Sequence, residues 1–162
     1  MEKSRIREAL SGVDPLNLPL WGRTEAAVLI LLTERDGAPH MLFTRRTAEL
    51  TSHQGEVAFP GGHREESDPS SWENAAREAA EEVGVPADRL EHLGTLDDMF
   101  TVTGFRITPH VAWLDGPFEA VPDPAEVAEV LWVPLAIPMA QRTGPAFSVS
   151  HRGLTGVFPI FR

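Results

Sequence analysis

The stretch FPGGHREESDPSSWENAAREAAEEVGV, Phe59 to Val85, limits the fold more than any other part of this chain. It sets a Gly-Gly pair at the end of a short apolar run, followed by a helix with both ends written in the sequence. Ser70 and Glu73 have capping-box spacing, Pro69 stands just outside the start, and Gly84 supplies the C-terminal stop, which predicts a helix over Ser71 to Val83. At about 100° per residue, Trp72, Ala76, Ala79, Ala80 and Val83 gather on one side, which is expected to pack on a sheet. Small alanines let the helix come close. Glu78, Glu81 and Glu82 are then expected on the opposite, unpacked side.

The rest of the chain supplies the sheet. AAVLILLTER, the turn DGAP and PHMLFTRR read as a hairpin, and EVAFPGG as a third short strand running into the glycines. LEHLGTLDD, FRITPHVAWL and AEVLWVPL read as further strands, and PAFSVSHRGLTGVFPIF as a closing strand pair. MEKSRIREAL reads as a short amphipathic helix, PLAIPMAQ as another short helix, and GPFEAVPDPAE as a surface loop. No repeat or linker divides the chain. One α+β domain over residues 1–162, a mixed sheet with helices, is the expectation.

Charge and composition narrow the function. Fourteen Lys and Arg against 24 Asp and Glu give a net charge of −10, which argues against a nucleic-acid binder. An acidic chain that handles an anionic substrate needs divalent cations to invert the local potential. No apolar run approaches the roughly 20 residues that cross a bilayer. With no cysteine, disulfides, thiolate metal sites and a cysteine nucleophile are excluded, and a cytoplasmic setting fits. The three glutamates have a bland explanation, a solvated acidic face. Against it, like charges at i,i+4 cost a helix about 0.2–0.5 kcal/mol per pair, and no basic residue follows these glutamates at i+4. Mg²⁺ takes one or two carboxylates plus phosphate oxygens, so a phosphate-processing metal site explains the arrangement. Walker-type loops and the H-E-x-x-H order are absent.

Gly62 followed by Arg77-Glu78-Ala79-Ala80-Glu81-Glu82-Val83-Gly84-Val85 resembles the Nudix box, G-x5-E-x7-R-E-U-x-E-E-x-G-U with U apolar. Asp68 stands where the box has its loop glutamate, and the gap to Arg77 is one residue longer. The preceding LFTRRTAELTSHQGEVAFPGG, Leu42 to Gly62, is similar to the extra motif of Nudix coenzyme A pyrophosphatases, LLTxRSx3Rx3Gx3FPGG, a subfamily in which the aspartate and longer loop are usual. Thr47 and Thr51 depart from that motif, Thr51 at an arginine position. The resemblance covers about Ala26 to Leu135. The family usually continues into another helix, a terminal element that this chain, ending at Arg162, is expected to lack.

The resemblance implies a Nudix-like α/β/α sandwich around a central mixed sheet. It implies hydrolysis of the diphosphate bridge of coenzyme A or its derivatives to 3′,5′-ADP and 4′-phosphopantetheine, with Mg²⁺ or Mn²⁺. Another nucleoside diphosphate derivative such as ADP-ribose is an alternative substrate, and a non-catalytic nucleotide sensor an alternative function. Glu78, Glu81, Glu82 and the Gly62 carbonyl are the implied metal ligands, with Glu78 or Glu81 as candidate base. Arg77 is implied in catalysis, braced by Asp68. Arg45, Arg46, His53 and Gly55 are the candidate substrate contacts. Asp97 or Asp98 is a further candidate metal-associated acid, and Glu126 and Glu129 fall where the family sometimes places a base.

Overall fold

The computed structural model describes residues 3–47, 55–137, 146–151 and 154–159. Its helices are α1 (Lys3–Ser11) and α2 (Ser71–Val83). Its strands are β1 (Thr24–Arg35), β2 (Ala38–Arg46), β3 (Val57–Ala58), β4 (Gly61–His63), β5 (Leu90–Thr95), β6 (Met99–Phe100), β7 (Phe105–Leu114), β8 (Val127–Pro134), β9 (Ala146–His151) and β10 (Leu154–Pro159). In the main sheet β3, β2, β1, β7 and β5 lie side by side, with β4 added to β1, β6 to β7 and β8 to β2. β1 and β7 run parallel, whereas β1–β2, β2–β8 and β5–β7 are antiparallel, so the sheet is mixed. β9 and β10 form a separate hairpin.

The period-two alternation of the central strands builds two cores. Leu29, Leu31, Leu42, Ala112 and Leu114 face α2 and meet Ala75, Ala79 and Val83. Leu32, Met41, Val111 and Trp113 turn to the other side and meet Ile6 of α1. Each fully buried leucine contributes about 1.5–3 kcal/mol by removal from water. A helix on each face of a mixed sheet is the α/β/α sandwich expected from the sequence.

At one end β1 and β2 are joined by a two-residue turn. Asp36 and Gly37 both have positive φ, 51° and 74°, as a type I′ hairpin requires. At the other end they part. Their pairing stops at Leu32 and Met41; farther from the turn β4 takes the place beside β1, and β3 the place beside β2. EVAFPGG is therefore two short strands and not one, because its halves pair with different arms of this fork. Phe59 between them stacks on Phe43 at 4.4 Å. Of PLAIPMAQ, residues 138–141 lie outside the described residues.

Candidate active site

The glycine pair lets β4 sit between β1 and α2. A Cβ on Gly61 would collide with the Ala27 carbonyl, and one on Gly62 would lie 2.5 Å from the Glu78 carboxylate. The Gly61 N–H donates to Glu82. In an antiparallel ladder a residue's N–H and C=O share one edge, so the Gly61 carbonyl faces the same side. The Gly62 carbonyl instead accepts from Asn74 Nδ2 at 3.2 Å.

α2 is capped as its sequence predicts. The Ser70 side chain accepts from the Trp72 N–H, and Gly84 adopts φ 72° while its N–H bonds the Ala80 carbonyl. Its burial corrects the expectation for the glutamates. Glu82 is only 5% exposed and belongs to the packed side. The reason is periodicity: Glu82 follows Ala75 by two helical turns, so the stripe that buries Ala75 and Ala79 carries it in. Glu78 is partly buried, and Glu81 alone points to water.

Arg77 organises the upper part of this face. Its Nε and Nη2 grip Asp68 at 3.0 and 3.1 Å. Nη1 reaches Glu81 at 3.0 Å, so the basic partner of this glutamate stands four residues before it and not four after. Nη2 also lies 3.0 Å from Glu78 Oε1 and 3.0 Å from Asn74 Oδ1. Asp68 further accepts from the Glu65 N–H, and Arg64 bonds the Asp68 and Pro69 carbonyls, closing the loop into α2. The Arg77 hydrogen bonds and the Glu65 N–H hold the Asp68 carboxyl below its ordinary range.

Glu82 has the opposite environment. Burial pushes its carboxyl up to about 7, and the charges of Glu126 and Glu78 push the same way, while Arg46 and the Gly61 N–H pull it down. Burial likewise raises Glu78, against the pull of Arg77. Glu126 arrives on the 115–126 loop, which the sequence placed loosely at the surface. The loop is docked: the Val121 and Asp123 N–H groups bond the Val83 and Glu82 carbonyls at the end of α2, and the Thr47 N–H bonds the Glu126 carbonyl.

The basic candidates separate. Arg46 pairs in register with buried Val127 and so faces the α2 side, within electrostatic reach of Glu82. Arg45 faces the other way, with its guanidinium on Glu129 at 3.1 Å, which removes both from the carboxylate cluster. Gly55, at φ 68°, turns the chain toward β3. His53 lies outside the described residues. Asp97 and Asp98 are also elsewhere: they accept from the Leu16 and Leu18 N–H groups, and Asp98 takes the Thr108 hydroxyl at 2.6 Å. They fasten the segment between α1 and β1. Sequence reasoning missed Asn74 and Arg64, whose signal was only a polar residue on an alanine-rich helix and a basic residue in an acidic loop.

A second titratable cluster lies under the start of α2. His110, 4% exposed, meets His92 at 3.1 Å and the Ser71 hydroxyl at 3.0 Å, with Trp72 packed on His92. Burial lowers His110 to about 4, and His92 is lowered in the same direction.

Among the described residues no three acidic or imidazole side chains stand together in ligand geometry. Glu78 and Glu81 are held by Arg77, while Glu82 lies under the glycine strand. The donor set nonetheless suits a hard divalent cation: carboxylates, peptide carbonyls, and two acids whose carboxyls are raised chiefly by burial.

A buried acid cluster on a capped helix that packs beneath a Gly-Gly strand defines a class of fold and site. Residues 23–148 match the NUDIX domain family, and the chain belongs to it. It is 40% identical over 117 residues to an uncharacterized Nudix hydrolase, NudL, of Pectobacterium atrosepticum, covering 72% of this chain and 60% of that protein. With the NudL of Escherichia coli K12 the identity is 40% over 123 residues, 75% of this chain and 62% of the other. The chain thus spans about 60% of the length of these relatives. Among solved structures, the M. smegmatis Nudix hydrolase RenU superposes with a TM-score of 0.58 at 30% identity, covering 70% of this chain and 72% of that one. The Nudix domain of Shewanella oneidensis NrtR, solved with ADP ribose, shares the fold at a TM-score of 0.56 and 23% identity, covering 86% of this chain and 88% of that one.

Proposed function

We propose that this chain hydrolyses the diphosphate bridge of nucleoside diphosphate derivatives, with coenzyme A or its derivatives as the substrate class and Mg²⁺ or Mn²⁺ as cofactor. The observation that carries the reading is Glu82, a buried carboxylate raised to about 7 beside Glu78 and Glu126. Such a group is costly to ionise unless a cation joins it. Glu78, Glu81, Glu82 and a carbonyl of the Gly61–Gly62 pair are the residues that would hold the ion. The Gly61 carbonyl is favoured over that of Gly62, which Asn74 occupies. When bound, a divalent cation shields the diphosphate and lowers the pKa of the attacking water.

The chain's own side chains supply the rest. Arg77 Nη2 has two hydrogens and several acceptors, so Glu78 can turn away without leaving the guanidinium unpaired. Glu78 or Glu81 then takes the proton of the water as its oxygen bonds to phosphorus. The bridging oxygen departs with the other phosphate. Arg46, on the Glu82 side, is a candidate contact for substrate phosphates, and so is His53; Arg45 is not.

Coenzyme A is favoured over other diphosphates by the likeness of Leu42 to Gly62 to the coenzyme A pyrophosphatase motif. The test is turnover of coenzyme A and ADP-ribose by the purified chain with Mg²⁺ or Mn²⁺. Expected products from coenzyme A are 3′,5′-ADP and 4′-phosphopantetheine, with no reaction after chelation. Arg46→Ala or His53→Ala should lower kcat/KM for coenzyme A more than for ADP-ribose, mostly through KM. A wild-type preference for ADP-ribose beyond tenfold, about 1.4 kcal/mol in transition-state binding, would overturn the coenzyme A assignment. Failure on every diphosphate would overturn the activity.

A further inference from the structure

Asn74 is the polar residue of α2 with no exposed surface, and none of the roles above uses it. Its side-chain amide is committed at both ends, donating from Nδ2 to the Gly62 carbonyl at 3.2 Å and accepting at Oδ1 from Arg77 Nη2 at 3.0 Å. A guanidinium only donates and a peptide carbonyl only accepts, so these partners fix which way the amide points. We infer that Asn74 is a positioning residue for the carboxylate centre, pinning the glycine strand to α2 and passing that constraint to Arg77. The inference rests on the metal-site reading under the proposed function.

The need for a pin follows from β4 itself. It is three residues long and its ladder partner is β1, yet it sets contacts on two glutamates at once. Gly62 lies against the Glu78 carboxylate and the Gly61 N–H bonds Glu82. From the helix side Arg77 holds Glu78 and Glu81. Asn74 bonds both halves, to the Gly62 carbonyl at 3.2 Å and to Arg77 at 3.0 Å, and the longer contact of Arg77 with the His63 carbonyl at 3.4 Å adds to it, so Asn74 helps set their spacing. A merely structural amide would lower stability when removed and leave the folded protein's ion affinity unchanged. Loss of a partner that orients metal ligands typically costs about 10–100-fold in affinity or activity.

The experiment compares the full chain with Asn74→Leu, which fills the space without either bond, and Asn74→Ala, which removes both with less steric demand. Binding of Mn²⁺ alone is followed by the electron paramagnetic resonance of the free ion, at a temperature where melting curves show each protein folded. Both variants should bind Mn²⁺ at least about tenfold more weakly. With coenzyme A at saturating Mn²⁺, the loss should fall on kcat, with KM within about twofold. A folded variant of either kind that binds Mn²⁺ like wild type would overturn the role of Asn74 alone. Wild-type protein that binds no Mn²⁺ would overturn the metal-site reading and this inference with it.

Discussion

Asp68 and Glu82 are equally hidden from water, each 5% exposed, yet their carboxyl groups are driven in opposite directions. Asp68 has only a thin cover, and its two oxygens meet a bidentate arginine and the Glu65 N–H. Glu82 lies deeper and faces Glu126 and Glu78, with Arg46 and one peptide N–H set against them. Low surface exposure alone therefore says little about a buried acid; the depth of burial and the partners together decide. Asp68 is balanced by Arg77 and holds the structure together, whereas Glu82, with Arg46 and one peptide N–H against deep burial and two acids, is held in its protonated form.

The largest expected effect tests that division directly. Glu82→Gln should cut kcat for the diphosphate substrate by at least about a hundredfold, the scale of losing a major electrostatic contribution. The folded state should survive, because the substitution removes a buried charge and keeps the shape. A variant with near-wild-type turnover and unchanged metal dependence would erase the distinction between the two acids.

The second effect appears in stability against pH without metal. Because folding raises Glu82 from 4.5 to about 7, the native state holds the extra proton, and stability falls as pH rises through that window, by up to about 3 kcal/mol. His110, lowered from 6.5 to about 4, acts in the opposite sense: its contribution is full above 6.5 and is lost as pH falls toward 4. In the wild type these two slopes oppose each other between pH 4.5 and 6.5. Denaturant titrations should show Glu82→Gln gaining stability with pH and His110→Gln losing it. Parallel profiles for both variants would contradict the opposite environments assigned to them.

A smaller effect belongs to the satisfied acid. Asp68→Ala and Arg77→Ala should each destabilise the protein and lower activity, and the double variant should cost little more than either one. The coupling energy should be about 1–3 kcal/mol, as for contacting groups in one network. Full additivity would mean the pair does not act together. The smallest effect is expected at Arg45→Ala, which loses a half-exposed ion pair with Glu129 worth less than about 1 kcal/mol. Turnover should stay within about twofold, while Arg46→Ala weakens coenzyme A use.

What the sequence made legible was whatever depends on local pattern. The apolar run AAVLILL read as a buried strand and proved to be one, and Ser70 and Gly84 bounded α2 as observed. The Asp36–Gly37 turn followed from its residue types. What escaped depended on partners far apart in the chain. Three adjacent-looking glutamates proved to have three environments, because Glu82 tucks under β4 while Glu81 stays outside. The side to which Arg45 and Arg46 point required the register with β8. Asp97 and Asp98 looked available to a metal because their partners, the Leu16 and Leu18 N–H groups, lie some eighty residues earlier.

The loop that brings Glu126 to Glu82 is anchored by peptide hydrogen bonds at Val121, Asp123 and Glu126, by the Thr47 hydroxyl and Arg89 on its carbonyls, and by Phe118 and Ala120 against the core. Its placement is therefore sensitive to residue count as well as to those side chains. Proline at Val121 or Asp123 would delete a donor. Loss or gain of a single residue is different, since it shifts every later peptide by one step and swings Glu126 out of range. Over evolutionary time this segment should keep its length and the apolar character of Phe118 and Ala120, while its exposed positions drift.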